Sequence, residues 1–248
     1  MKFSIITPTY KRPKELIRAV QSVLDQNYLD FEMIIVNDSP DFDYSEFENG
    51  EGIKDNRIRY FKNEKNTGVN FSRNFALESI SKTSDYVVFL DDDDFLAKDS
   101  LRKVNDILTF SKNKKIPIAW LVTNFCIEEI SQTKVRKIKK KYNYFWDILL
   151  FKNIKGDATH TISRKLAISS RFSTKIKNGE EWFYFIKLPA TVIYKDINTK
   201  DSNGYLPQGL TDILKDKYKG NTKLLWKEKI TLKIFLYLLL RQTKCLLS

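Results

Sequence analysis

The sequence predicts an α/β fold, in which a mixed, mostly parallel sheet is flanked by helices and followed by a C-terminal helical tail. Short apolar runs alternate with segments of helical periodicity from residue 2 to about residue 127, and strands separated by helices form βαβ units. Apolar residues make up 42% of the 248 residues, which is enough for an ordinary hydrophobic core. None of the eight glycines builds a dinucleotide-binding or phosphate-binding loop, so neither a Rossmann nor a P-loop protein is expected.

The predicted elements follow one another in a regular order along the first half of the chain. Apolar runs predict strands, and apolar residues at helical spacing predict helices. We expect strands at residues 2–7, 31–36, 57–62, 85–90 and 118–127, and helices at residues 12–26, 70–81 and 101–110. Further along, six basic residues in the eight positions 134–141 predict a solvated loop or hairpin edge. Later helices are expected at residues 179–188, 210–219 and 224–240.

Composition and charge exclude several classes of protein. The chain has two cysteines, Cys126 and Cys245, and one histidine, His160, so a zinc ribbon, a disulfide scaffold or a His-rich metal centre is not expected. The formal net charge of +12 predicts an anionic partner, which could be a nucleic acid, the phosphates of a nucleotide or an acidic membrane face. We expect no signal peptide and no membrane span, and therefore a cytoplasmic location.

Four consecutive aspartates at residues 91–94 directly follow an apolar strand. Their ionised forms repel one another unless a cation lies between them. Alternation along an extended strand would put Asp91 and Asp93 on one side and Asp92 and Asp94 on the other, so that a pair converges on one ion. Carboxylate oxygens suit Mg²⁺ or Mn²⁺, which takes further ligands from substrate phosphates. The alternative is a solvated acidic turn with an aspartate that caps the next helix.

Polar residues also follow the first two predicted strands. Residues 7–10 end the first strand, and Asp38 follows the second. Because ligands of open α/β sheets bind outside the carboxyl ends of the strands, these residues and the aspartates are expected to line one site. A carboxylate there can accept a hydrogen bond from the ring N–H of a base. The alternative for Asp38 is an Asx turn within residues 37–40.

The chain resembles the family-2 glycosyltransferases of the GT-A fold from residue 3 to about residue 188. The segments that carry the resemblance are ITPTY with the preceding Ile5, VNDS at residues 36–39, GVNFSRN at 68–74, FLDDDD at 89–94 and GEEW at 179–182. Their order and spacing agree with the family. Three positions depart from its pattern: Asn37 stands where an aspartate is common, Lys98 where a proline is frequent, and Glu181 where an aspartate is usual.

The resemblance implies a role for residues on the donor side. Pro8 and Tyr10, with Thr7 or Thr9 beside them, would line a uridine pocket, and Asp38 would hold the ring N–H of uracil. Arg73 would lie near the nucleotide. Asp91 and Asp93 would form the D-x-D pair, with Asp93 preferred as the direct metal ligand. Asp92 would lie beside the donor sugar.

The resemblance also implies the base on the acceptor side, and two further residues near it in the sequence are candidates for acceptor contacts. Glu181 is the candidate general base and Glu180 the fallback, whereas the alternative for both is an acidic helix N-terminus. His160 is either a packed residue or a contact to the acceptor. Trp182 is either an aromatic platform for an acceptor sugar or a core residue.

The expected activity is inverting, metal-dependent transfer of a sugar from a nucleotide sugar, with UDP as the expected nucleotide. The acceptor would be a glycan or a lipid-linked hydroxyl in cell-surface polysaccharide synthesis, and the cofactor Mn²⁺ or Mg²⁺. Residues 1–200 would form the catalytic domain, with a nucleotide-sugar half at 1–125 and an acceptor half at 126–200. Two alternatives are a sugar nucleotidyltransferase, although residues 7–12 lack glycine, and a basic RNA-binding protein that uses residues 134–141, although no RNP-like segment accompanies them. We therefore expect no nucleic acid partner.

The tail, residues 201–248, contains an apolar stretch at 230–241 that is flanked by basic residues. It is too short and too charged to span a bilayer. It predicts a helix that lies on anionic lipid, which would make the protein peripheral at the inner face of the cell membrane. The alternative is a helix that packs on the catalytic domain or on a second subunit.

Overall fold

A mixed β-sheet organises the part of the chain that the computed structural model describes, which is residues 1–50, 52–155, 157–175 and 180–202. Its strands are β1 (Phe3–Thr9), β2 (Phe31–Asn37), β3 (Ile58–Lys62), β4 (Tyr86–Phe89), β5 (Asp94–Leu96), β6 (Trp120–Ile127), β7 (Ile130–Ser131), β9 (Tyr142–Asn143), β11 (Ala158–Ser163) and β12 (Thr191–Ser202). Two further strands, β8 (Lys134–Val135) and β10 (Ile154–Lys155), pair with each other.

Helices connect these strands. They are α1 (Pro13–Leu24), α2 (Ser45–Glu48), α3 (Val69–Ser79), α4 (Ser100–Asn113), α5 (Arg164–Ala167) and α6 (Glu180–Phe185), with a 3-10 turn at Gly52–Lys54 and a π-helix at Tyr144–Leu150. The helices and strands predicted up to residue 127 are confirmed, with ends that differ by a few residues.

The main path of the sheet has the order β3-β2-β1-β4-β11-β6-β12-β5. Strands β1 to β4 pair in parallel, and β11 runs antiparallel to both β4 and β6. Strand β12 runs parallel to β6 and antiparallel to β5. The predicted mixed α/β sheet with flanking helices is therefore confirmed, and the carboxyl ends of β1, β2 and β4 lie side by side.

Both faces of the central strands are buried. Neighbouring residues alternate between two hydrophobic clusters: Ile5 packs in the cluster that contains α1 and α4, whereas Ile6 packs in the cluster that contains α3. A parallel sheet covered on both faces produces the uninterrupted apolar runs that predicted these strands. Polar groups of the central strands can therefore reach solvent only beyond the strand ends.

Among the strands that were not predicted, β5 and β12 lie at the aspartate run. β5 has three residues and begins inside the aspartate run. β12 has twelve residues but carries the exposed Lys195 and Asp196 in its middle, where the register with β6 shifts between Tyr194 and Asn198. This irregularity removes the alternation by which a strand is recognised in a sequence.

Several expectations remain outside what the fold shows. The predicted helices at 210–219 and 224–240, the membrane-contacting tail and Cys245 lie outside the described residues. In the described part of the chain, no helix has the length and apolarity that crossing a membrane requires. Cys126 is a buried free thiol. The proposed divisions at residues 125 and 200 stay predictions; β6 and β12 continue across these positions.

Candidate active site

The four aspartates form a turn rather than an extended strand. Strand β4 ends at Phe89, the backbone N–H of Asp94 donates to the carbonyl of Asp91 at 3.2 Å, and β5 begins at Asp94. The strict alternation expected for this segment is therefore wrong, because the chain reverses within it. The turn brings carboxylate oxygens of Asp91, Asp93 and Asp94 within 4.8 Å of one another. Asp94, which the sequence reasoning placed on the opposite side, joins the predicted pair.

Each of these three carboxylates forms an ion pair with a different basic residue. The pairs are Arg73 Nη2 with Asp91 Oδ1 at 2.9 Å, Arg12 Nη1 with Asp93 Oδ2 at 2.6 Å, and Lys200 Nζ with Asp94 Oδ2 at 2.6 Å. Arg12 begins the segment that leads into α1, and Lys200 lies near the end of β12. Sequence reasoning missed both residues, because only the sheet pairing brings them to the aspartates.

The environment shifts the pKa values of these carboxyl groups in different directions. Burial, with the neighbouring charge of Asp93, raises the pKa of Asp92 to about 7, and burial also raises that of Asp94 to about 6. Burial acts to raise the pKa of Asp91 as well, but the charges of Arg73 and Lys200 outweigh it and lower the pKa. Positive charge is thus needed to keep this turn ionised.

The donor set fits a hard divalent cation. Asp91, Asp93 and Asp94 offer oxygen atoms only, close enough to share one ion, and such ligands suit Mg²⁺ or Mn²⁺. Asp92 is turned towards β1 instead, where its carboxylate accepts from the backbone N–H of Tyr10 at 3.4 Å and from Arg12 at 3.3 Å. The residues present therefore fit the predicted metal, with Asp94 as an additional candidate ligand.

Arg73 connects the acidic turn to the candidate base. Arg73 lies on α3 and is 3% exposed. Its guanidinium donates from Nη2 to Asp91 Oδ1 and to Glu181 Oε1, both at 2.9 Å. Glu181 occupies the second position of α6 and has a half-exposed side chain. The structure thus brings together Asp91, Arg73 and Glu181, which the sequence placed in three separate segments. The side chain of Glu180 lies outside the described residues.

The end of β1 borders the same turn. Thr7 and Pro8 are buried within the strand, Thr9 shares a hydrogen bond with the Tyr44 hydroxyl at 2.8 Å, and Tyr10 is exposed. The backbone N–H of Asp38 donates to the Thr9 carbonyl at 2.9 Å, which ties the ends of β1 and β2 together. The predicted donor-side residues therefore lie along one edge of the sheet.

The carboxylate of Asp38 is occupied by its own chain. It accepts four hydrogen bonds of 2.6 to 2.8 Å, from the side chain of Asn63, the backbone and hydroxyl of Thr67, and the backbone N–H of Gly68. Gly68 has a φ of 89° and immediately precedes α3. Asp38 thus fixes the segment that starts the helix of Arg73. The Asx turn considered for this region is made by Asn37, whose Oδ1 accepts from the Ser39 N–H at 2.8 Å.

His160 lies in an aromatic cluster beneath the site. Its Nδ1 accepts from Trp120 Nε1 at 3.0 Å, and its ring stacks on Phe185 at 4.1 Å. Burial, with a further contribution from Lys200, lowers the pKa of His160 to about 3. Trp182 is half-buried and packs against the same hydrophobic cluster. These contacts match the packing alternative; the acceptor roles of both residues stay predictions.

Replacing His160 by asparagine is expected to make the protein less sensitive to acid. The unfolded imidazole has its ordinary pKa of 6.5, and the folded one about 3, so between these values the unfolded state binds a proton that the folded state does not. Stability is therefore lost as the pH falls through this window. Asparagine keeps an acceptor for Trp120 but takes up no proton. Urea unfolding across the window should show a shallower loss in the variant; an unchanged slope together with impaired catalysis would favour an acceptor contact instead.

The sequence of this chain matches a known protein family. The family model described as glycosyl transferase family 2 matches residues 4–174. An uncharacterised glycosyltransferase of Haemophilus influenzae is 29% identical over 217 residues, which are 88% of this chain and 83% of that protein. The minor teichoic acid biosynthesis protein GgaA of Bacillus subtilis is 29% identical over 193 residues, 75% of this chain. The chain spans only 43% of GgaA.

A solved structure shares the fold. The crystal structure of Staphylococcus aureus TarS 1-349 in complex with UDP-GlcNAc superimposes with a TM-score of 0.67 and 18% identity, covering 85% of this chain and 61% of that one. The matched segment of the family model includes the end of β1, Asp38, Arg73 and the acidic turn. The chain is a glycosyltransferase with a GT-A fold and belongs to glycosyl transferase family 2.

Proposed function

We propose that the chain transfers a sugar from a UDP-sugar to a hydroxyl of a glycan or lipid-linked acceptor in cell-surface polysaccharide synthesis, with inversion at the anomeric carbon. The observation that carries this proposal is the bridge made by Arg73, which holds Glu181 beside the acidic turn with two contacts of 2.9 Å. A candidate base and a candidate diphosphate site are thereby adjacent. The UDP-GlcNAc in complex with TarS and the teichoic acid in the name of GgaA support the donor and the pathway class.

On the donor side, the carboxylates of Asp91, Asp93 and Asp94 would hold Mn²⁺ or Mg²⁺. When bound, the cation supplies charge neutralisation for the departing diphosphate. Arg12 and Lys200 already contact two of these carboxylates, and their charges add to the positive field where the diphosphate departs. Asp92 and Tyr10, joined by a backbone hydrogen bond, would border the sugar and the nucleotide.

On the acceptor side, Glu181 would take the proton of the attacking hydroxyl. The hydroxyl oxygen forms a bond to the anomeric carbon while the bond from that carbon to the diphosphate oxygen breaks, and the diphosphate leaves with the electron pair. Arg73 holds the Glu181 carboxylate in place for this transfer. One direct displacement inverts the anomeric centre and needs no covalent intermediate.

Membership of the glycosyltransferase family leaves the two alternatives, a nucleotidyltransferase and an RNA-binding protein, without support. The proposed location is the inner face of the cell membrane, where a lipid-linked acceptor would be found. The basic and apolar stretch at 230–241 supports this placement by its composition.

A panel of nucleotide sugars, each incubated with and without Mn²⁺, tests the proposed donor. We expect slow release of UDP from at least one UDP-sugar, since water can take the place of the acceptor hydroxyl when no acceptor is present. Release of nucleotide only from GDP-, CMP- or dTDP-sugars would overturn the choice of uridine. Formation of pyrophosphate from a nucleoside triphosphate and a sugar phosphate would instead identify a nucleotidyltransferase.

Replacing Asp38 by alanine is expected to weaken UDP binding more than it slows the chemical step. Losing one hydrogen bond between the carboxylate and uracil would cost about 1.5–3 kcal/mol, or roughly ten- to a hundredfold in affinity. The change also removes the four hydrogen bonds that order residues 63–68. Titration calorimetry with UDP measures the effect, and unchanged affinity would contradict any role for Asp38 in the nucleotide site.

Gly68→Ala separates a direct contact to uracil from support of the loop. Alanine is strained at a φ of 89° although it meets no atom within 4 Å, so it disturbs the loop and leaves the Asp38 carboxylate intact. If Asp38 acts through the loop, both variants weaken UDP binding. If Asp38 contacts uracil directly, only Asp38→Ala does.

A further inference from the structure

Residues 134–155, here called the basic excursion, leave the sheet after β7 and return before β11. The excursion contains eight lysines and arginines and one acidic residue, Asp147. Asp147 is buried, and its carboxylate is occupied by Lys139, by the Asn143 N–H at 2.8 Å and by Asn153 Nδ2 at 3.0 Å. The remaining basic side chains are exposed; they are Lys134, Arg136, Lys137, Lys140, Lys141, Lys152 and Lys155. The outer surface of the excursion is therefore strongly positive.

Large apolar side chains lie among these charges. Ile138 is 89% exposed, the highest value for a large apolar residue in the described part of the chain, and Phe151 and Trp146 are 58% and 41% exposed. The rings of Trp146 and Phe151 stack at a centroid distance of 6.3 Å. Large exposed apolar side chains that accompany many basic ones in one segment indicate an interaction surface.

The excursion is held firmly against the catalytic unit. The Tyr142 hydroxyl accepts from the Lys139 N–H and donates to the Lys137 carbonyl, both at 3.0 Å, which fixes the basic loop. The Arg136 N–H donates to the Asn153 carbonyl at 2.8 Å. Tyr144 packs on Phe185 of α6 with ring centroids 5.4 Å apart, so the excursion rests on the helix that carries Glu181.

We propose that the basic excursion is a docking surface for an anionic lipid bilayer. Its lysines and arginines would contact anionic headgroups, while Ile138, Trp146 and Phe151 enter the interfacial layer, where tryptophan and apolar side chains are favoured beside basic ones. An RNA partner fits less well: bases would stack on Trp146 and Phe151, but the most exposed apolar group, the aliphatic Ile138, would have no role. Because the excursion rests on α6, docking would hold the helix that carries Glu181 near the membrane. This surface goes beyond the proposed function, since lipid binding requires no sugar transfer.

Vesicle flotation of the full chain tests the proposal. Vesicles of phosphatidylcholine alone are compared with vesicles that also contain phosphatidylglycerol. The triple variant Lys137→Glu, Lys140→Glu, Lys141→Glu is expected to lose at least roughly a hundredfold in affinity for the anionic vesicles, because each lost basic residue contributes about fivefold and the new carboxylates add repulsion. The matched control replaces Lys82, Lys103 and Lys112 by glutamate; these lysines are exposed and lie outside the basic excursion. The control should bind vesicles as the unchanged chain does. Equal losses in both triple variants, or no loss in either, would overturn the proposal.

Fluorescence quenching by brominated lipid tests insertion separately. Subtracting the signal of Trp146→Phe isolates Trp146, and we expect its emission to be quenched on anionic vesicles. Absence of quenching, or retention of the chain on RNA with no retention on vesicles, would overturn docking. Transfer to a water-soluble acceptor should be unchanged in the charge variant. If the unchanged chain binds vesicles but transfers no sugar, the proposed function fails and the docking surface stands.

Discussion

Asp93→Ala is expected to reduce sugar transfer by ~10²–10⁴-fold, because metal stabilisation of a leaving group supplies several kcal/mol and each 1.36 kcal/mol is tenfold in rate. Asp93 is one of three carboxylates that converge within 4.8 Å, and its loss removes both a ligand and the partner of Arg12. Initial rates with a UDP-sugar donor, measured over a range of Mn²⁺ concentrations, give the effect.

Binding of Mn²⁺ to the UDP complex provides a second measurement that does not depend on turnover. Calorimetry should show weaker Mn²⁺ binding for Asp93→Ala and unchanged binding for Asp106→Ala, whose exposed carboxylate on α4 lies outside the acidic turn. Full turnover of the unchanged enzyme in excess EDTA, after removal of metal, would contradict a requirement for a divalent cation.

Glu181→Gln is expected to lower turnover by ~10²–10⁴-fold, the contribution of a positioned general base. The amide is nearly isosteric and its carbonyl oxygen can still accept from Arg73, which donates to Glu181 Oε1 at 2.9 Å. Folding and UDP affinity should therefore be preserved, so the loss would be confined to kcat. Rate measurements at saturating donor and acceptor check this.

Glu180→Gln is the matched control for Glu181→Gln. Adjacent positions of a helix point in different directions, so only one of the two can face the acceptor, and the control should be milder. NMR coupling constants of the product should show the anomeric configuration opposite to that of the donor. A retained configuration would refute direct displacement, and a fully active Glu181→Gln would move the base to Glu180 or His160.

Features of the fold and the site that follow from local sequence patterns could be predicted, whereas those that depend on contacts between distant segments could not. Strands β1 and β2 were predictable because both of their faces are buried, which makes their apolar runs almost continuous. Asp91, Arg73 and Glu181 could be assigned to one site through the resemblance to a family. Asp94 could not, since a turn closed by one hydrogen bond has no periodic signal.

Long-range contacts account for the remaining surprises. Lys200 reaches Asp94 only through the pairing of β12 with β5, and its own sequence surroundings are ordinary. The carboxylate of Asp38 turns towards Thr67 and Gly68 because that segment supplies the donors. The position of Asp38 after its strand was predictable, but the donors that hydrogen-bond to its carboxylate were not.

The dependence of β6 and β5 on β12 has a consequence for biosynthesis. During translation the acidic turn leaves the ribosome long before Thr191–Ser202, so nascent chains have no Lys200 beside Asp94, and β6 has one unpaired edge. Such an edge can pair with another chain, and pairings between distant segments form slowly. A chain whose synthesis ends within α6 would have most of the described helices and strands but an open, aggregation-prone sheet. Synthesis of β12 therefore closes the open edge of β6 and, in the same step, brings Lys200 to the acidic turn.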